Sequence, residues 1–159
     1  MRRIPALLVF SALSFALFAC GNTQDVTEYL SLPFSSEVKI VVDSSEYLAS
    51  VERGGADLVS VKLKSPEAFS GLVVSLGAGS SVEFRGSKIE NRFPRSVAEL
   101  IYDAFSDSNR TEVIADGDVQ IVRFSSRRGN GSIRVDGFTS VPISLESDGV
   151  YIEFSDFKR

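Results

Sequence analysis

Histidine and tryptophan are absent from the 159 residues, and cysteine occurs once. Without histidine, the chain lacks the usual general base of serine and cysteine nucleophile systems and the commonest zinc ligand. The single cysteine, Cys20, excludes an internal disulfide, a cysteine metal cluster and a redox pair. The sequence therefore predicts no catalytic residue, no metal site and no cofactor, and we expect a protein that is not an enzyme.

Long apolar runs are also scarce. The longest, Ile4–Ala19, is sixteen residues, whereas a membrane-spanning helix needs about 20. Arg2 and Arg3 precede this run and Cys20 follows it, which is the order of parts in a secretory signal. Because a cysteine comes first after the expected cut, the segment resembles a bacterial lipoprotein signal. That resemblance implies that the Cys20 thiol is joined by a thioether to diacylglycerol, so that the protein carries two or three fatty acyl chains such as palmitate.

An acylated Cys20 predicts both the location and the domain plan of the protein. Two or three acyl chains hold a protein stably at a membrane, whereas one does so only marginally. We expect a signal peptide over residues 1–19, a lipidated tether over residues 20–32 and a single domain over residues 33–159. The domain would lie outside the cytoplasm, anchored to the cell membrane by lipid.

The chain after Ala19 is acidic, with 15 basic and 21 acidic residues and a net charge of −6. This charge argues against a nucleic-acid partner, since phosphate binding needs a basic face. It also repels an anionic leaflet, so membrane attachment is expected to depend on the lipid rather than on charge.

Most of the remaining chain alternates between apolar and polar residues, the period of half-buried strands. Short turns separate successive segments, which favours an antiparallel meander. The predicted strands cover residues 38–42, 46–52, 59–64, 72–76, 82–84, 119–124, 133–135, 141–145 and 150–154, with turns at residues 43–45, 54–55, 77–80, 127–131 and 147–149.

One helix is predicted, from Ser96 to about Ser106. Its apolar residues follow the i, i+3, i+4, i+7 spacing of one continuous face, namely Val97, Leu100, Ile101, Ala104 and Phe105. Ser96 and Glu99 have the spacing of a capping box, and Pro94 precedes them. A shorter helical turn is expected between Asp25 and Leu30.

The segment Asp107–Asp118 is polar, and we predict a solvated loop there. Asp107, Asn109, Asp116 and Asp118 carry oxygen ligands of the kind that calcium prefers. The spacing of a twelve-residue calcium loop is missing, however, so the plain loop is the preferred interpretation.

The strand and turn pattern from Glu37 onward resembles small lipoproteins of Gram-positive bacteria related to the lipoprotein-carrier superfamily typified by LolA, LolB and LppX. The residues that carry this resemblance are Tyr47, Ala49, Val51, Arg53, Val59, Val61, Leu63, Ser65, Pro66, Glu67, Gly71, Leu72, Phe84, Arg85, Gly86, Pro142, Ser144, Leu145, Gly149, Ile152, Phe154, Ser155, Asp156 and Phe157. The resemblance implies an α+β fold in which a curved antiparallel half-barrel holds one main amphipathic helix on its concave face.

Two functions remain open at this stage. The half-barrel could bind a lipid or another apolar ligand, with Val97, Leu100, Ile101 and Phe105 of the helix face as the candidate ligand-binding residues. Alternatively, the helix face is ordinary core, and the protein is a structural or protein-interaction module of the cell envelope with a fully packed interior. A pocket of several hundred cubic ångströms would favour the first function.

Overall fold

The alternating segments form one eleven-stranded antiparallel sheet in a computed structural model of the chain. The structure describes residues 26–55, 58–77, 79–85, 87–88, 92–126 and 129–159; the predicted signal peptide and Cys20 lie outside them. The strands are β1 Phe34–Val42, β2 Ser45–Arg53, β3 Val59–Ser65, β4 Val73–Leu76, β5 Ser81–Phe84, β6 Ser87–Lys88, β7 Arg110–Asp116, β8 Val119–Ser126, β9 Gly129–Asp136, β10 Pro142–Ser147 and β11 Val150–Lys158. The helices are α1 Val26–Ser31 and α2 Arg92–Ala104, with short 3-10 turns at Glu67–Phe69 and Asp107–Asn109.

Two meanders, β1 to β6 and β7 to β11, make up the sheet. The first and last strands of the chain, β1 and β11, pair with each other and so join the two meanders. The strand order is β6-β5-β4-β3-β2-β1-β11-β10-β9-β8-β7. β1 pairs with β11 through a register that includes Ile40 opposite Ile152. Residues at the two ends of the domain therefore meet at the centre of the sheet.

The contacts of α2 show that the sheet is curved. This helix packs against β3 and β4 of one meander and against β8 and β9 of the other. In a flat sheet, β4 and β8 would lie about 34 Å apart, since they are seven places apart in the strand order and neighbouring strands are about 4.8 Å apart. A helix is only about 10 Å wide, so the sheet must curve around it. The predicted α+β half-barrel with one main helix on its concave face is confirmed.

The core lies between this concave face and α2, because every second residue of each central strand points inward. The largest fully buried side chains are all apolar; they include Phe105, Phe124, Leu30, Ile40, Leu72, Ile101, Ile133, Leu145 and Ile152. The predicted helix face belongs to this core, since Val97, Leu100, Ile101, Ala104 and Phe105 are all buried.

Several predicted boundaries differ from the structure, among them β1, which begins at Phe34 rather than residue 38, and β11, which continues to Lys158 rather than residue 154. The helix begins at Arg92 rather than Ser96; Pro94 is accommodated because the first-turn N–H groups have no partner within a helix. Arg110–Asp116, predicted as a loop, forms β7, whose polar composition suits an exposed edge strand. Gly129–Gly131, predicted as part of a turn, opens β9.

α1 confirms the helical turn expected near residues 25–30 and contributes to the core. Val26 and Leu30 are buried in the same cluster as the sheet residues, although they fall in the segment predicted as a tether. In the part of the chain that the structure describes, no helix combines the length and apolar character needed to cross a membrane.

Candidate ligand-binding site

A cavity of about 410 Å³ opens where β1 begins and β2 and β11 end. We call it the strand-end cavity; its lining residues are Pro33, Phe34, Ser35, Glu52, Arg53, Gly54, Leu58, Lys158 and Arg159. Its volume falls in the range of about 300–1,000 Å³ that is usual for small-molecule sites. Four of the nine lining residues are charged and three are apolar, so the lining carries more charge than that of an ordinary apolar ligand site.

Phe34 connects the wall of this cavity to the interior of the half-barrel. Its ring centroid lies 4.8 Å from that of Phe105 and 4.9 Å from that of Phe157. Phe105 in turn meets Phe154 edge-on at 5.8 Å. These are favourable separations for aromatic pairs. An apolar molecule in the cavity would therefore contact a wall that is continuous with the core.

Arg53 places a positive charge at the same end of the sheet. It lies in phase with Ala49 and Val51, the inward-facing residues of β2, and it is buried. Its Nη1 donates a hydrogen bond of 2.8 Å to the carbonyl oxygen of Leu30. The guanidinium thus ties the end of α1 to the sheet beside the cavity.

Lys158 and Arg159 bring two more cations to the cavity, and Glu52 brings one anion. Arg159 donates from Nη2 to the carbonyl oxygen of Ser140 at 3.0 Å. Its guanidinium carbon also lies 5.6 Å from the centre of the Phe157 ring, within the reach of a cation–π contact. The charged end of β11 is therefore held by two identifiable contacts.

Ser140 is presented to Arg159 by a turn that Asp136 organises. One carboxylate oxygen of Asp136 accepts hydrogen bonds from the backbone N–H of Thr139 at 2.7 Å, the Thr139 hydroxyl at 2.8 Å and the backbone N–H of Phe138 at 3.0 Å. The two hydrogen bonds from Thr139, of which the backbone bond has the larger effect, hold the pKa of Asp136 below its usual value. Desolvation opposes this shift, and the bond from the Phe138 N–H lowers the pKa by a smaller amount.

This lowered pKa predicts a pH-dependent contribution to stability from Asp136. Because the folded-state pKa lies below the unfolded one, the contribution is present at neutral pH and is lost as the pH falls below about 4. We expect Asp136→Asn to lower the urea midpoint at pH 7 and to lower it less at pH 3. An equal loss at both pH values would contradict a role for the carboxylate charge.

None of the four predicted helix-face residues lines this cavity. Val97, Leu100 and Ile101 are buried against the sheet. Phe105 reaches the cavity wall through its contact with Phe34. A ligand-binding role for all four stays a prediction, and Cys20 lies outside the described residues.

Sequence reasoning missed Arg53, Leu58, Lys158 and Arg159 as possible site residues. One signal was present for Arg53, because its position in the alternation of β2 turns a charged residue inward. No comparable local signal exists for Lys158 and Arg159, which approach Arg53 only through the pairing of β1 with β11.

The acidic residues that resembled calcium ligands do not form a cluster. Asp116 ends β7, whereas Asp107 pairs with Arg110 at 2.6 Å and accepts a hydrogen bond from Ser31. Among the described residues, no three histidine, cysteine, aspartate or glutamate side chains come together in a way that could hold a metal ion.

No protein-family model and no curated protein sequence matches the chain. An uncharacterised conserved protein from Thermus thermophilus has a similar structure, with 13% identity over 86% of this chain and 85% of that one and a TM-score of 0.52. A LolA superfamily protein from Nitrosomonas europaea shares 10% identity over 87% of this chain and 94% of that one, with a TM-score of 0.48. A DUF1329 family protein from Desulfovibrio piger shares 9% identity over 84% and 90%, with a TM-score of 0.42. At such identities the likeness concerns the fold alone.

Proposed function

We propose that the protein is a non-catalytic lipoprotein, anchored by lipid on Cys20 outside the cytoplasm, that binds an acyl chain or another apolar ligand. The observation that carries the ligand-binding part is the strand-end cavity, whose Phe34 wall continues into the aromatic cluster of Phe105, Phe154 and Phe157. An apolar ligand gains free energy there by leaving water.

The anchoring part is supported by the order of parts around the Ile4–Ala19 run and Cys20. Mass spectrometry of the protein isolated from a bacterial cell tests it. We expect an N-terminal peptide that begins at an acylated Cys20, and partition into the detergent phase of a Triton X-114 separation. Retention of Met1 with an unmodified Cys20 would overturn the anchor and leave the ligand-binding proposal standing.

A substitution of an apolar, partly exposed residue that lines the cavity tests ligand binding. Leu58 lines the cavity and is 48% exposed, so Leu58→Gln removes apolar contact area from the site at little cost to the fold. We expect the affinity for a fluorescent acyl probe to fall about three- to tenfold, because roughly 1 kcal/mol of apolar contact is lost.

Leu48 provides the matched control. It is 50% exposed on β2 and does not line the cavity, so Leu48→Gln makes the same chemical change elsewhere. We expect its affinity for the probe to equal that of the parent protein. Equal losses in both variants, or no probe binding to the parent protein, would contradict the proposal.

The alternative function is a structural or protein-interaction module of the cell envelope. Two observations favour it: the α2 face is fully buried, and Phe138 is 75% exposed at the tip of the Asp136 turn. Cross-linking in cells separates the alternatives, since an interaction module predicts one protein partner that is lost in Phe138→Ser.

A further inference from the structure

We propose that the strand-end cavity takes a single-chain amphiphile whose head group is an anion, a carboxylate or a phosphate. This inference rests on the proposed ligand-binding function and names the chemical class of the ligand. It is carried by the charge of the cavity, by the apolar surface next to that charge, and by Lys158, which forms no ion pair with a described residue.

The cavity is positive in a chain that is negative. Three cationic side chains, Arg53, Lys158 and Arg159, line it together with one anionic side chain, Glu52. The whole chain carries a net charge of −4. A local excess of positive charge in a concave, partly apolar site attracts anions more strongly than the same charges would on an open surface.

Three basic side chains on the outer face of the sheet have acidic partners, whereas Lys62 and Arg134, which are also exposed, form no ion pair with any residue that the structure describes. Lys39 pairs with Glu46 at 2.8 Å, Lys64 with Glu37 at 2.7 Å and Arg123 with Glu112 at 2.9 Å. Lys158 makes no such ion pair with any residue that the structure describes. Its ammonium group is therefore available to a ligand at the mouth of the cavity.

The apolar part of the lining decides between a small anion and an amphiphile. Pro33, Phe34 and Leu58 lie in the same cavity as the cations. A small inorganic anion would leave these apolar groups in contact with water, whereas an uncharged hydrocarbon would desolvate the cations without giving them a partner. A ligand with one hydrocarbon chain and an anionic head satisfies both parts of the lining.

The test compares ligands that share a twelve-carbon chain and differ in the head group. Laurate, dodecyl phosphate and uncharged dodecanol are titrated below their critical micelle concentrations into the full chain carrying Cys20→Ser, which blocks lipid attachment. We expect both anionic ligands to bind about tenfold or more tightly than dodecanol, because a charge-assisted hydrogen bond is added. Binding of only one anion supports the proposal and identifies the preferred head group.

Substitutions of the cavity cations test whether the head group of the ligand binds in the cavity. The double variant Lys158→Gln/Arg159→Gln is expected to lose the preference for anions, while Lys158→Arg/Arg159→Lys is expected to keep it. The matched control is Lys62→Gln/Arg134→Gln, which removes the same two charges from exposed positions of β3 and β9. Circular dichroism verifies that each variant is folded.

Three results would overturn the inference, and they separate it from the proposed function. If dodecanol binds as tightly as laurate, the anionic class is wrong, but apolar ligand binding stands. If the control variant loses the anion preference to the same extent as the cavity variant, the effect is one of overall charge, and the site is wrong. If none of the three ligands binds, the proposed function fails together with this inference.

Discussion

Replacing Phe105 with alanine is expected to lower the free energy of unfolding by about 3–5 kcal/mol, the range for deleting a fully buried aromatic ring. The Phe105 side chain is completely buried at the end of α2, and its ring contacts Phe34 and Phe154. The substitution would leave a void where the helix, β1 and β11 meet. Urea denaturation followed by circular dichroism measures the change.

The control for this prediction is Phe138→Ala. The Phe138 side chain is 75% exposed, so its removal deletes little buried contact, and we expect a change within about 0.5 kcal/mol. Comparable losses for the two variants would mean that Phe105 does not occupy the core. A loss below about 1 kcal/mol for Phe105→Ala would have the same meaning.

The half-barrel was predictable because its strands are short, amphipathic and locally connected. The alternation of Val38, Ile40, Val59, Val61 and Leu63 in the sequence predicts an inward face, and all five side chains are buried. The apolar face of α2 was equally clear, since a helix of that pattern must cover an apolar surface. Local chemistry therefore specified most of the elements.

Elements at the edge of the sheet were harder to predict. Arg110–Asp116 was predicted as a loop because it carries Arg110, Glu112 and Asp116 and little apolar alternation. An edge strand such as β7 needs only one partner strand and no buried face, and its register with β8 supplies the pairing. Pairing with a neighbour, rather than its own composition, makes this segment a strand.

The strand-end cavity could not be predicted from local patterns. Phe34, Arg53 and Leu58 are brought together by the β1–β2 hairpin and the turn that follows it, but Lys158 and Arg159 join them only because β11 returns to pair with β1. That pairing depends on the length and register of the strands between them. The apolar face of α2 was a reasonable prediction for a ligand site. The pairing of β1 with β11 instead brings charged and apolar groups together in the strand-end cavity.

Gly131→Ala is expected to lower the free energy of unfolding by about 1–3 kcal/mol, the usual cost of adding atoms to a filled site. Gly131 lies opposite Phe124 in the pairing of β8 with β9, and the buried Phe124 ring covers the glycine. A Cβ at this position would lie 2.8 Å from Phe124 Cε1 and 2.7 Å from the carbonyl oxygen of Glu146. One neighbour is a core side chain and the other is backbone, so neither can move away freely.

Two further variants test this explanation. A Cβ added at Gly79 meets nothing within 4 Å, so Gly79→Ala should change stability by less than about 0.5 kcal/mol. If the Phe124 ring causes part of the loss, Phe124→Leu should reduce the cost of Gly131→Ala, a coupling that a double-mutant cycle measures. Strictly additive effects would show that the ring yields without strain, and that the Glu146 carbonyl alone requires a glycine at the start of β9.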